Sequence, residues 1–171
     1  ISVIWPASGV ALAILFLSPR REWPIILAIV FVTNLISNLV FGTSFWASAG
    51  FALVNTIEPA LGGWVTTRWL GKRINFERLT DVLTLIAVAT LVNGLTALLG
   101  ALVPTLMFGA SFRNTWVSWW ILDGLSILAI TPFIITWIID DAPVLPALST
   151  SQRIETFIWL VILCGMTWFM F

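Results

Sequence analysis

Residues 82–108 read VLTLIAVATLVNGLTALLGALVPTLMF, a run of 27 positions without one charged side chain. About 20 consecutive apolar residues in an α-helix cover the roughly 30 Å of hydrocarbon in a bilayer. This stretch is therefore expected to be a membrane-crossing helix. Outward from it in both directions the pattern recurs, and spans are expected at 1–18, 24–42, 46–70, 82–108, 115–138 and 154–171. Between them lie the usual breakers: Pro19-Arg20-Arg21-Glu22, Gly42-Thr43-Ser44, Gly71-Lys72-Arg73-Ile74-Asn75, Gly109-Ala110-Ser111, and a stretch with acids and prolines from Asp140 to Gln152. The composition agrees. Hydrophobic residues make up 60% of the chain and charged residues 9%, with a mean hydropathy of +1.05. A soluble domain carries about 25% charged residues to cover its surface. A β-barrel would alternate polar and apolar residues in segments of about ten, whereas these runs are continuous. The expected fold is all-α, a polytopic helical bundle forming one integral membrane domain over 1–171, with no soluble domain, linker or internal repeat.

Basic residues set the orientation. Arg20 and Arg21 follow the first span, Arg68, Lys72, Arg73 and Arg78 surround the third connection, and Arg153 lies in the fifth. The opposite side has only Arg113. Seven against one places the odd-numbered connections in the cytoplasm. On this orientation both ends of the chain are extracytoplasmic. A bacterial protein with cytoplasmic termini would then need one helix before Ile1 and one after Phe171, so six of eight spans are expected in this stretch. Trp23, Trp46, Trp69, Trp116 and Trp137 fall at span ends, where an indole suits the headgroup boundary. Thr80 and Asp81 suit an N-cap of the fourth span.

Several function classes drop out. Net charge is zero, which gives no electrostatic case for nucleic acid. Histidine is absent, removing the commonest haem and transition-metal ligand. The lone cysteine, Cys164, excludes an internal disulfide. There is no nucleophile beside a base, no metal-ligand spacing and no glycine-rich phosphate loop, so no cofactor is implied and the segment is read as non-enzymatic.

An ionised group at mid-bilayer costs at least about 2.5 kcal/mol, so it normally meets a partner or a cavity. Glu58, near the centre of the third span, and Asp123, in the middle third of the fifth, are in that position. Neither has a basic residue at similar depth; each is protonated, hydrogen-bonded or lining a wet cavity. Asn55 shares a helical face with Glu58. Pro59 has no N–H for the Asn55 carbonyl, so a kinked polar spot is expected there. Such spots bind ligands in broken transporter helices; a hydrogen-bonded packing joint fits equally. Gly124 allows a helix to approach Asp123 closely, and Pro132 should bend the same span. Trp119 and Trp120 suit either a pocket wall or interfacial anchoring. Asn34, Asn38 and Asn93 suit hydrogen bonds between helices.

Trp5-Pro6-Ala7-Ser8-Gly9 followed by an apolar span resembles the start of the bacterial membrane-associated sensor domain of the first MASE type. The resemblance continues through Arg21-Glu22-Trp23-Pro24, Asn34, Asn55-Thr56-Ile57-Glu58-Pro59-Ala60, Leu79-Thr80-Asp81-Val82-Leu83, Trp119-Trp120-Ile121-Leu122-Asp123-Gly124 and Thr131-Pro132 before Trp137. It covers residues 3–138 in order. The resemblance implies an eight-helix input domain in the bacterial inner membrane. Such domains are fused to a cytoplasmic histidine kinase, diguanylate cyclase or cyclic-di-GMP phosphodiesterase. No output domain lies in this stretch. Trp5, Pro6, Gly9, Asn55, Glu58, Trp120, Asp123, Gly124 and Pro132 are the family-like positions. The leading expectation is a sensory input domain whose polar core is Glu58, Asp123, Asn55, Pro59, Trp120, Gly124 and Pro132. Its expected partners are the bilayer, a second copy joined through the output domain, and a possible neighbouring membrane protein. A structural subunit of a larger membrane complex and a secondary transporter are the competing readings.

Overall fold

The computed structural model describes residues 5–71, 74, 76 and 78–139. Described residues outside the loops are helical: α1 (Pro6–Leu17), a 3₁₀ turn (Arg20–Glu22), α2 (Trp23–Val40), α3 (Phe45–Leu70), α4 (Leu79–Ala87), a π turn (Val88–Val92), α5 (Asn93–Phe108) and α6 (Phe112–Ile139). The chain divides into a first unit, Ile1–Trp137, and a second, Ile138–Phe171. The expected sixth span and the stretch from Asp140 to Gln152 lie outside the described residues.

The helices fall where the apolar runs fall, and their ends follow from local chemistry. Pro6 occupies the first turn of α1, where a missing N–H costs nothing. Gly71 and Gly109 close α3 and α5 with φ of 62° and 67°, the left-handed conformation that only glycine adopts without strain. α4, the π turn and α5 form one continuous rod, Leu79–Phe108. That rod, Arg20–Val40 and Phe112–Trp137 are long and apolar enough to cross a membrane. α3 has 26 residues but carries Ser48, Asn55, Thr56, Glu58, Thr66, Thr67 and Arg68 along it. α1 has 12 residues, about 18 Å at 1.5 Å per residue, and is too short to cross.

α3 is the central strut. It packs on α1, α2, α4, the π turn and α5. Small surfaces make this possible: a methyl group at Gly62 would meet Leu12 and Val88, and one at Gly63 would meet the Trp23 indole. α6 closes against α1 and the rod. Trp120 donates its indole N–H to the Thr90 carbonyl at 2.9 Å, and Trp116 donates to the Gly94 carbonyl at 3.0 Å. Leu12, Leu85, Val88, Ala89 and Ile127 form the apolar core among α1, α4, the π turn and α6. Large apolar side chains point outward elsewhere, as in Ile25, Ile29, Val32, Ile36 and Val40 of α2. In a membrane these face lipid.

Two expectations change. Thr80 and Asp81 do not cap α4: the cap position is Arg78, and Asp81 is fully buried in the first turn, accepting a hydrogen bond from the Thr80 hydroxyl at 2.9 Å. Trp23 and Trp116, expected at the headgroup boundary, give their indole N–H groups to the carbonyls of Leu15 and Gly94. Trp46, Trp69 and Trp137 do face outward. Finally, the first span is not a full-length helix: α1 starts at Pro6, and its first turn lies level with the middle of α3.

Candidate functional site

The depth of α1 follows from one hydrogen bond. Ser8, in the first turn of α1, donates its hydroxyl to Glu58 Oε2 at 3.1 Å. Glu58 lies 13 residues after the start of α3 and 12 before its end, about 18 to 20 Å from either. Gly9 then anchors the same turn to α6. Its N–H donates to the Ser126 hydroxyl at 3.0 Å, and its carbonyl accepts from the Thr131 hydroxyl at 2.9 Å. The two backbones touch so closely that a Cβ on Gly9 would lie 2.4 Å from the Ser126 carbonyl oxygen. Gly9 is thus required by proximity, and the Trp5-Pro6-Ala7-Ser8-Gly9 motif is a helix start wedged between α3 and α6.

Asp123, near the middle of α6, completes the cluster. Its carboxyl lies close enough to Ser8 and Glu58 to interact with both. Each acid is 4% exposed. Glu58 Oε1 is buried with no donor among the described residues. Two carboxyl groups this close repel unless a proton or a cation lies between them. The first turn of α1, whose N–H groups carry partial positive charge, also favours negative charge at this spot.

Beside the cluster lies a cavity of about 350 Å³. Asp123 lines it, together with Trp5, Phe51, Trp119 and the carboxamides of Asn38 and Asn55. Leu122, Thr115 and Pro104 complete the wall. These positions lie in the half of the bundle away from Arg20, Arg21, Arg68 and Arg78. Asn34 organises one wall: Asn55 Nδ2 donates to Asn34 Oδ1 at 2.8 Å, and Asn38 Nδ2 donates to the Asn34 carbonyl at 2.9 Å.

Glu58 and Asp123 meet. Asn55 lies on the cavity wall, one turn from Glu58. Pro59 is buried inside an α3 that runs through it unbroken. Gly124 lets α6 approach the π turn, where an added Cβ would lie 3.1 Å from the Ala89 carbonyl. Trp5 lines the cavity, while Pro6 and Gly9 build the start of α1. Trp120 is absent from the cavity lining: it stacks on Trp116 with ring centroids 5.6 Å apart and ties α6 to the π turn. Its neighbour Trp119 is the residue in the cavity wall. Pro132 follows Thr131, the anchor of Gly9, and is distant in sequence from the acids.

Ser8, Ser126, Thr131 and Phe51 belong to this site without having been singled out. Ser8 and Thr131 do lie inside quoted motifs, but a hydroxyl in an apolar helix ordinarily bonds its own carbonyl four residues back, as Thr56, Thr66 and Thr84 do. Asn93 is a second polar joint. Its Nδ2 donates to the carbonyls of Ala89 and Trp120, at 3.2 and 2.8 Å, while Oδ1 has no donor among the described residues. Among the described residues there is no group of three metal-ligating side chains.

The MASE1 family model matches residues 1–171. This chain belongs to the MASE1 family. MASE1 domains are membrane sensory input domains rather than catalytic ones. No curated protein and no solved structure matches the chain significantly.

Proposed function

We propose that this MASE1 domain is the input half of a bacterial signalling protein, with the Ser8–Glu58–Asp123 joint as its switch. The observation that carries the reading is that joint: the start of α1 is held between acids of α3 and α6, at mid-depth, beside a cavity that Asp123 also lines. An occupant of the cavity touches Trp5 at the cap of α1, Asn55 of α3 and Asp123 of α6 together. Any differential affinity for two arrangements of these helices shifts their populations, and a ligand without such a difference shifts nothing. Asn55, Pro59, Gly124 and Pro132 support the joint, and Trp120 couples α6 to the rod.

In this reading the domain lies in the inner membrane with its odd-numbered connections in the cytoplasm and six of eight spans in this stretch. α1 is the described part of the first of them. The last span carries the shift to a dimeric cytoplasmic kinase or cyclic-di-GMP enzyme. The test is the output of the full-length protein carrying Glu58→Gln and Asp123→Asn together. The response is expected to collapse by about tenfold or more, as expected when about 1.4 kcal/mol of bias between two states is removed. A full response with both changes in place overturns the proposal.

A further inference from the structure

Building on the sensory reading, we propose that the cavity beside Asp123 binds a small organic ammonium ion. Four features of the site converge on this class. Asp123 is the one charged residue in the cavity wall, and no lysine or arginine is among the lining residues. Behind it stands Glu58, and among the described residues the two acids have Ser8 and one another as side-chain partners. An anion would therefore meet the like charge of a carboxyl pair, whereas a monocation in the cavity lies against Asp123, one of two close carboxyls that need a counter-charge.

The rest of the wall selects the kind of cation. Trp5, Phe51 and Trp119 supply aromatic surface, and the Phe51 and Trp119 rings pack 5.9 Å apart as adjoining parts of one wall. Aromatic faces attract ammonium groups, most strongly when water is excluded. Asn38 and Asn55 each give an N–H to Asn34 and keep a carbonyl oxygen as an acceptor. A hard inorganic cation would want six or more oxygen ligands, far more than this largely apolar wall supplies. A volume of about 350 Å³ is at the low end for small-molecule sites, about 300 to 1,000 Å³. The ammonium group is either that of a soluble amine or the headgroup of an ethanolamine lipid.

The test is calorimetric titration of the full-length protein in nanodiscs of phosphatidylglycerol. The probes are benzylamine, benzyltrimethylammonium and their neutral counterpart benzyl alcohol. Both cations are expected to bind saturably, about tenfold or more tighter than the alcohol, and Asp123→Asn is expected to bring them down to its level. Trp119→Leu is expected to weaken the cations about two- to fivefold and the alcohol less. Repeating the titration with phosphatidylethanolamine in the disc distinguishes the sources. A weakened soluble cation then identifies the lipid headgroup as the occupant, and an unchanged one identifies a soluble amine; either agrees with the ammonium site. Three results overturn it: no saturable binding, equal affinity for cations and alcohol, or a cation preference that survives Asp123→Asn in a protein melting like the parent. If cations fail to bind while Glu58→Gln with Asp123→Asn still abolishes output, the sensory reading stands and only the ligand class falls. If cations bind selectively while those substitutions leave output unchanged, the ammonium site stands and the switch falls.

Discussion

Ser8 has one proton to give, and Glu58 accepts it with the Asp123 carboxyl close by. Removing it leaves Glu58 Oε2 without that donor, in a place where Oε1 already has none. Hydrogen bonds to charged or strongly polar buried groups are worth about 1.5 to 3 kcal/mol in water-soluble proteins, and interhelical ones in membranes average about 0.6 kcal/mol. Ser8→Ala is therefore expected to lower stability by about 1 to 2 kcal/mol, read by unfolding in mixed micelles. Thr136→Ala, which removes an exposed hydroxyl bonded to its own helix, is expected to cost about 0.5 kcal/mol or less. Equal losses would mean that Ser8 adds nothing beyond an ordinary helix hydroxyl. The two acids were legible in sequence because a charge in an apolar run is conspicuous and costly. Ser8 was not, since nothing local distinguishes a hydroxyl that bonds its own helix from one that reaches another. The Trp119–Trp120 pair was legible only as two possibilities: one indole lines the cavity and the other reaches Thr90.

At the level of elements, boundaries were readable and depths were not. Apolar runs with Gly and Pro punctuation located α2, α3, the rod and α6 within about three residues. The same reasoning made α1 a full span, because an apolar run does not record where along a neighbouring helix it begins. The π turn at Val88–Val92 was equally hidden, although its carbonyls at Ala89 and Thr90 are the ones that Asn93 and Trp120 use. Close approaches carry the sharpest element-scale prediction. Gly9→Ala forces α1 away from α6, since no rotamer change relieves a 2.4 Å contact with backbone oxygen. Overpacking of this kind costs about 1 to 3 kcal/mol, so a clear fall in unfolding midpoint is expected; an unchanged midpoint contradicts the α1–α6 contact. Gly100→Ala acts on the cavity instead. Its Cβ would fall 2.1 Å from the Trp119 ring. The indole must move, and a shift in tryptophan emission that disappears in a Trp119→Phe background is the expected signature.

For the molecule as a whole, the proposed topology puts the cavity in the extracytoplasmic half, away from Arg20, Arg21 and Arg68. Single cysteines check this after Cys164→Ala. Ser111→Cys, between α5 and α6, is expected to react with a membrane-impermeant maleimide added outside intact cells, and Ser18→Cys, between α1 and α2, only after lysis. The opposite pattern would reverse the orientation and place the cavity on the cytoplasmic side. The central claim is narrower: Glu58 and Asp123 act as one switch rather than as two separate polar residues. A double-mutant cycle on the output of the full-length protein addresses it most directly, comparing Glu58→Gln, Asp123→Asn and both together. Residues that act as a unit are non-additive. The account predicts that each single change removes most of the response and that the double change removes no more than either one. Independent, additive losses, or a response that survives all three variants, would contradict it.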